Sequence, residues 1–161
     1  MSKHTHTKVL APLPPIGMQA SRSRTITGED IDLFAHVSTD KNPIHIDEEY
    51  AARTPFGGRV AHGIMVASMI SAVLGNDLPG HGSIYLGQTL KFLAPVRIGD
   101  TITITAEVIS LREDKRIVTL RTDCTNQEGT LVLTGEATVK YVLVQPRRNS
   151  AGVYERAGGP L

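Results

Sequence analysis

The sequence predicts one α+β domain in which short helices come first and an antiparallel sheet follows. Three observations indicate this order: helix signals between residues 28 and 62, an almost wholly apolar run from Gly63 to Leu74, and alternating apolar and polar residues after Pro79-Gly80. The apolar run has the length of a helix, and the alternation has the period of strands. A helix that is apolar on every side needs cover from more than one direction, so we expect the sheet to wrap around it.

The two helices that precede the apolar run are predicted to be short. Glu29 and Asp30 open the first, where the helix dipole favours negative charge, and apolar residues follow at helical spacing. Asp47 opens the second, which should end before Pro55 and the Gly57-Gly58 pair. We therefore expect a loop-rich cover over one side of the domain.

The run from Gly63 to Leu74 predicts a fully buried core helix, with Gly75-Asn76 as its end signal. Crossing a bilayer takes ~20 apolar residues, and this run is well short of that length. A core helix is therefore expected, and no membrane span is predicted.

Alternating segments in the second half predict four strands, at 83–92, 100–111, 116–125 and 130–144. The last two are joined across Asn126 to Gly129, a reasonable hairpin turn. A meander wrapped around one helix matches the hot-dog fold. Subunits of that fold commonly pair so that their sheets run together and the sites lie between protomers, so a homodimer is expected.

The composition favours a small-molecule partner and an intracellular location. Lysine plus arginine (17) nearly balance aspartate plus glutamate (16), so no strong field favours nucleic acid or an anionic membrane. Cys124 is the only cysteine, which excludes an internal disulfide and favours the reducing cytoplasm, with Cys124 as a buried inert thiol. The proline-rich residues 1–20 lack a secretory signal's apolar region and predict a flexible arm; residues 145–161 predict a flexible tail, leaving a domain at 21–144.

The segment from Asp40 to His45 carries the strongest functional signal. Pro43 removes a backbone donor and keeps Asn42 away from helical geometry, so the chain should turn sharply and present both ends of the segment to one small volume. An Asp and a His that share one water can accept and donate protons without a metal or a covalent intermediate. Each residue alone has a plainer interpretation, since Asp is a common turn residue and His a common structural one.

These residues resemble the MaoC-like hydratases, in particular the (R)-specific enoyl-CoA hydratases. The family signature of Asp, any residue, Asn-Pro, an aliphatic residue and His stands here as Asp40 to His45, and Val60 to Gly63 leads into the apolar helix. Further similarity covers most of the domain, at Ala51, Phe56, 82–87, 111–115 and 134–137.

The resemblance implies reversible hydration of a trans-2-enoyl-CoA to the (R)-3-hydroxyacyl-CoA. Coenzyme A would be part of this acyl-CoA thioester substrate, and no separate cofactor or metal would be needed. Asp40 and His45 would hold and activate the water. The backbone N–H of Gly63 would stabilise the enolate-like oxygen of the transition state, because a glycine lets the substrate approach the backbone closely. A glycine needed only for the turn into the helix is the alternative.

Three further residues receive supporting roles from the resemblance. Asn42 would orient the turn or Asp40, although a purely structural Asn-Pro turn is equally compatible. Ser71 would hydrogen-bond the catalytic pair from the helix, or bond a carbonyl of the preceding turn instead. His62 is predicted to position the loop rather than to transfer protons.

Two other functions remain open from the sequence. A hot-dog thioesterase would aim a carboxylate-activated water at the thioester carbonyl, and a non-catalytic acyl-thioester-binding subunit would tolerate loss of Asp40 or His45. The intact motif favours the hydratase. Cations available for the coenzyme A phosphates are Arg59, Lys91, Arg97, Arg112 and Lys115, although each is more simply a solvated surface charge.

Overall fold

The computed structural model describes residues 12–142, which form one antiparallel sheet with helices on its inner face. The helices in this part of the chain are α1 (Gly28–Ser38), α2 (Pro43–Ile46), α3 (Glu48–Ala52), α4 (Gly63–Ser68) and α5 (Ile70–Asn76). The strands are β1 (Gln19–Thr25), β2 (Ser83–Gln88), β3 (Lys91–Phe92), β4 (Thr101–Arg112), β5 (Ile117–Thr125) and β6 (Leu131–Tyr141). The predicted hot-dog architecture, a sheet around a central helix, is confirmed.

The sheet has the strand order β1-β4-β5-β6-β2, and β3 pairs with β6 beyond the end of β2. Strands β4, β5 and β6 form the predicted meander. In β4 the side chains of Ile102, Ile104 and Ala106 are fully buried while the threonines between them face outward. Because side chains alternate across a strand, one face of the sheet becomes apolar and packs on the helices.

The predicted strand at 83–92 is divided into β2 and β3 by Thr89 and Leu90, and both pieces pair with β6. Gly135 of β6 lies opposite this break. A Cβ atom at Gly135 would stand 1.8 Å from the carbonyl oxygen of Thr89, so only glycine fits there. The crossing backbone therefore explains both the break and the glycine.

Strand β1 was not predicted, because its residues are polar on both faces and show no apolar alternation. It begins at Gln19, two residues inside the predicted N-terminal arm, and pairs with β4. The N–H of Gly17 also donates to the carbonyl of Val108 at 2.8 Å. The ordered part of the domain thus extends further towards the N-terminus than the predicted boundary at residue 21, while residues 1–11 and 143–161 lie outside the described chain.

Helices α4 and α5 follow one another with Met69 between them in right-handed helical conformation. The prediction that this segment is buried all round is wrong for the single chain. One face of the two helices is buried, and it consists of Met65, Val66, Ala67, Ile70, Val73 and Leu74. The opposite face is open, and Ile64 is 55 % exposed, because the sheet covers these helices from one side only. Between residues 12 and 142, no helix has the length and apolar character needed to cross a bilayer.

Candidate active site

Asp40 lies in a tight turn that follows α1. Thr39 ends the helix in the left-handed conformation, with φ of 63°, and turns the chain away from the helix axis. The carboxylate Oδ1 of Asp40 then accepts a hydrogen bond from the N–H of Asn42 at 3.1 Å, which is an Asx-turn. The Asp40 side chain remains 54 % exposed, so it is fixed by the turn and still open to a reactant.

His45 lies on the short helix α2, which begins at Pro43. Asn42 caps this helix, since its side-chain oxygen accepts from the N–H of Ile44 at 3.4 Å, and Pro43 suits the first helical position. Asn42 therefore supports the local turn, in line with the structural alternative. The predicted sharp turn is present between Thr39 and Asn42, and one helical turn then carries His45 back towards Asp40.

The His45 ring is oriented by the segment that precedes α4. Its Nδ1 lies 2.7 Å from the carbonyl oxygen of Val60. A carbonyl can only accept, so Nδ1 carries the hydrogen and Nε2 of the neutral ring has the free lone pair. Nε2 is thus the atom available to take or return a proton.

Arg59 binds the backbone of His45. Its Nε donates to the His45 carbonyl at 2.5 Å, and its Nη2 donates to Asp32 on α1, also at 2.5 Å. The Arg59 side chain is only 14 % exposed, so it ties α1, α2 and the following loop together. This position was predicted as a possible phosphate ligand or a surface charge. Its role in the turn could not be found from the sequence, because a carbonyl partner leaves no pattern there.

His62 is buried, with 3 % of its surface exposed. Its Nε2 donates to the main-chain carbonyl of Asp40 at 3.0 Å, and its ring stacks on His45 with centroids 3.8 Å apart. Phe34 of α1 packs against His62 at 5.0 Å between ring centroids. The Nδ1 atom of His62 is buried without a hydrogen-bond partner in the described chain.

The side chains of Asp40, His45 and His62 lie together, with one ligand atom from each within 4.8 Å of the others. One water can bridge Asp40 and His45 across such a distance. A metal fits the group poorly. The two imidazole rings are nearly parallel, at 29°, so their in-plane lone pairs do not converge on one ion, and two of the four ring nitrogens already face carbonyls. The arrangement of Asp40 and His45 suits proton transfer.

Gly63, the first residue of α4, lines an apolar cavity of about 440 Å³. Part of its wall is formed by Phe56, Val60, Ile64, Phe92, Leu93 and Val132. Neither Asp40 nor His45 lines this cavity; the connection runs through Val60, whose carbonyl faces the His45 ring, and through Gly63, which follows His62 in the chain. Its size and apolar lining are typical of a small-ligand site.

Phe92 of β3 lies directly against Gly63. A Cβ atom at Gly63 would stand 2.8 Å from two carbons of the Phe92 ring, which is closer than van der Waals contact allows. Phe92 is nevertheless half exposed. Any side chain at position 63 would therefore displace the Phe92 ring, in addition to any effect on a substrate. Phe92 was predicted only as a strand residue, since nothing in the sequence pattern connects it to Gly63.

Ser71 lies on the exposed face of α5. No hydrogen bond joins it to Asp40 or His45 in the described chain, and it is two helical turns away from Gly63. The structure of one chain therefore does not bring Ser71 to the pair. Among the predicted phosphate ligands, Arg97 donates to the carbonyl of Phe56, and Arg112 pairs with Asp114 at 3.5 Å.

Cys124 is fully buried in β5. Burial, with a smaller contribution from Asp123, raises the pKa of its thiol to about 12. A thiol that stays protonated at neutral pH is a poor nucleophile, which agrees with the predicted inert role.

A hot-dog domain with an Asp-His pair beside a glycine-led helix defines a class of small α+β proteins, and comparison with known proteins places the chain within that class. The family model for the MaoC like domain matches residues 14–129. The chain belongs to the MaoC-like family.

Relatives and solved structures agree with this assignment. The chain is 54 % identical over 123 residues to an (R)-specific enoyl-CoA hydratase of Rhodospirillum rubrum, covering 76 % of this chain and 85 % of the relative. It is 46 % identical over 125 residues to a 3-hydroxybutyryl-CoA dehydratase of Methylorubrum extorquens, covering 78 % and 79 %. The solved structure of the (R)-hydratase from Aeromonas caviae involved in PHA biosynthesis matches with a TM-score of 0.79 and 45 % identity, covering 82 % of this chain and all of that one.

We predict that Arg59→Gln lowers the free energy of unfolding by about 1.5–3 kcal/mol, because it removes charge-assisted bonds and leaves the His45 carbonyl unpaired. Asp32→Asn should cost at most about 1 kcal/mol, since Asp32 is 60 % exposed and water replaces its partner. Urea unfolding of both variants tests this. Equal losses would show that the ion pair, and not the bond to the His45 carbonyl, is what stabilises the turn.

Proposed function

We propose that this protein is an (R)-specific enoyl-CoA hydratase, which adds water reversibly to trans-2-enoyl-CoA and forms (R)-3-hydroxyacyl-CoA. The observation that carries the proposal is the Asp40–His45 pair, held within water-bridging distance beside the loop that leads to Gly63. The named activities of the relatives from Rhodospirillum rubrum and Methylorubrum extorquens describe the two directions of one such reaction. Water addition is redox-neutral, so no oxidant or reductant is required.

The reaction balances with water as the only co-reactant. The water oxygen bonds to C3 of the enoyl thioester, one water hydrogen leaves to the catalytic pair, and a proton from the pair reaches C2. Between these events negative charge collects on the thioester oxygen. Asp40 and His45 together hold the water, and the lone pair of His45 Nε2 follows from the bond that Nδ1 makes to Val60.

The Gly63 amide supplies the oxyanion donor in this proposal. Gly63 is the first residue of α4, where backbone N–H groups have no intrahelical acceptor, and it lines the apolar cavity. A donor that faces the thioester oxygen stabilises the enolate more than the ground state, which is what lowers a barrier. The apolar walls around Gly63 suit the non-ionic part of an acyl thioester.

Two copies of the chain are proposed to pair through β2. This strand is an edge of the sheet, hydrogen-bonded to β6 on one side only. Ile84 and Leu86 of β2 are 49 % and 53 % exposed. Leu86 and Ile64 of α4 line a groove of about 350 Å³ beside the strand. The opposite edge, β1, is polar. A second copy at β2 would satisfy the strand edge and cover the exposed apolar side chains.

We expect Asp40→Asn and His45→Ala each to lower the hydration rate about 100-fold to 10,000-fold, because each removes one partner of the proton transfer. Loss of the enoyl absorbance of crotonyl-CoA gives the rate, and chiral analysis of the product gives its configuration. Both variants should keep the wild-type free energy of unfolding, measured in urea, within about 1 kcal/mol, since Asp40 is largely exposed and the fold is anchored elsewhere.

A loss below about tenfold in either variant would remove that residue from the catalytic pair. Lys41→Gln is the matched control: it changes an exposed charge next to Asp40 and should leave the rate within about twofold. Release of free coenzyme A in place of the hydroxy thioester would support the thioesterase, and binding without turnover would support the non-catalytic subunit.

The two reasons for a glycine at position 63 are separable by a pair of variants. Gly63→Ala should destabilise the fold and abolish most activity, because its methyl group meets the Phe92 ring. Adding Phe92→Ala removes that collision, so the double variant should recover stability relative to the sum of the single changes. Its activity should remain at least about tenfold below that of Phe92→Ala alone, since the methyl group still keeps the substrate from the amide.

The activity ratio decides the role of Gly63. If the double variant equals Phe92→Ala in rate, the glycine serves packing against Phe92 only, and the oxyanion donor lies elsewhere. Urea unfolding of the four proteins provides the stability terms, and initial rates with crotonyl-CoA provide the catalytic ones.

The proposed dimer predicts that Leu86→Lys shifts the protein from two chains to one in multi-angle light scattering, because a lysine on an edge strand opposes pairing. Ile98→Lys is the control, since Ile98 is similarly exposed, at 43 %, but lies outside β2. A Leu86→Lys protein that keeps the mass of two chains would place the interface on another surface.

A further inference from the structure

His62 contacts both members of the proposed catalytic pair, Asp40 and His45, although it is not itself a member of that pair. Through Nε2 it bonds the carbonyl of Asp40 at 3.0 Å, and through its ring face it stacks on His45 at 3.8 Å. It comes from a different segment, the loop before α4, and only 3 % of its surface is exposed. One side chain from the core thus spans both ends of the Asp40–His45 motif.

The contacts around His62 fit one form of the ring. The Asp40 carbonyl accepts, so Nε2 carries the hydrogen, and the buried Nδ1 has no partner within residues 12–142. A ring used for proton transfer would need its second nitrogen to reach a reactant, and this one is covered. On its other side Phe34 packs at 5.0 Å, so the ring is confined between Phe34 and His45.

An unsatisfied buried nitrogen calls for a physical reason, because it costs free energy that an apolar side chain of the same shape would not. A phenylalanine would place a flat ring at the same position without an orphan atom. The two contacts of His62 supply the reason: the N–H fixes the peptide that carries Asp40, and the flat ring face sets the plane of His45. Neither a phenylalanine nor a glutamine can provide both.

We propose that His62 is a positioning residue for the hydration reaction, which holds Asp40 by its backbone and His45 by its ring. This inference rests on the proposed hydratase function. Its effect is on alignment, since the shared water must meet both groups at once, and a displacement of about 1 Å in such a site costs on the order of 100-fold in rate. His62 itself exchanges no proton with the substrate.

Two variants separate the two contacts. His62→Phe keeps a flat ring between Phe34 and His45 and loses the N–H donor to Asp40. His62→Gln keeps an N–H at the same reach and loses the ring. We expect each to lower kcat for crotonyl-CoA by about 10-fold to 100-fold while KM stays within about twofold, because alignment of the catalytic pair matters to the transition state more than to binding.

A double-mutant comparison identifies action through the pair. In a His45→Ala background there is no His45 ring to align, so His62→Gln should lower the remaining rate by less than about threefold. His62→Phe should likewise have little further effect in an Asp40→Asn background. A merely structural role would give the same fractional loss in both backgrounds, because a smaller folded fraction lowers every rate equally.

The outcomes are distinct. Unchanged kcat in both His62 variants, or equal losses with and without the catalytic residue, would overturn the positioning role while leaving the hydratase proposal intact. A His45→Ala protein that retains nearly full activity would remove His45 from the catalytic pair and the positioning role with it, whereas a wild-type protein that fails to hydrate crotonyl-CoA would overturn the hydratase assignment itself. If His62→Gln fails to fold, His62→Phe carries the test alone, since it keeps a flat ring in the site and removes the unpartnered Nδ1.

Discussion

The packing of α4 and α5 on the inner face of the sheet is the constraint on which the site depends. Their buried face belongs to the main core cluster, with Ile70 and Val73 fully covered. The segment that leads into α4 is held by backbone hydrogen bonds: the N–H of Ala61 donates to the Val96 carbonyl at 2.8 Å, and Val60 forms a β-bridge with Arg97. The loop at 60–63 therefore has the rigidity of the core rather than that of a surface loop.

That loop determines the geometry of a motif that is far from it in sequence. Val60 accepts from the His45 ring, His62 holds both Asp40 and His45, and Gly63 opens onto the apolar cavity. The segment at 40–45 has little core of its own, since Asp40 and Asn42 are exposed. Its conformation is set by an Asx-turn and a helix cap locally and by this loop from outside. The relative placement of Asp40 and His45 therefore depends on contacts between two segments, each too short to be rigid alone.

The sequence predicted the parts of the fold that follow from apolar periodicity. The alternation at 101–105 led to a buried strand face, and the run at 63–74 led to the central helix. Strand β1 was missed because its residues, polar except for Ala20, are held by backbone pairing and by hydroxyl contacts such as Ser23 to Thr103 at 2.8 Å. Such contacts depend on a partner strand about 80 residues away, and no local pattern shows it.

The same distinction applies to the site. Asp40, His45 and the His62-Gly63 pair stand in a recognisable motif, so they could be selected from the sequence. Arg59 and Phe92 could not be selected in this way. Arg59 binds the backbone carbonyl of His45 and Phe92 packs against Gly63, and neither contact has a sequence signature. For Ser71, helical spacing gave its distance from Gly63 along the axis but not which face it occupies when the sheet covers one side only, so its supporting role stays a prediction.

The open face of α4 connects the site to the proposed pairing of chains. Ile64 lines both the cavity beside Gly63 and the groove along β2, so one exposed side chain separates the two hollows. A second copy seated on β2 would therefore bury the wall of the apolar cavity together with the strand edge. In one chain, an apolar cavity that stays open to solvent gives the proposed oxyanion donor little protection from water. Covering Ile64 would exclude that water, so the same contact that satisfies an exposed edge would also prepare the site for a charge-forming reaction.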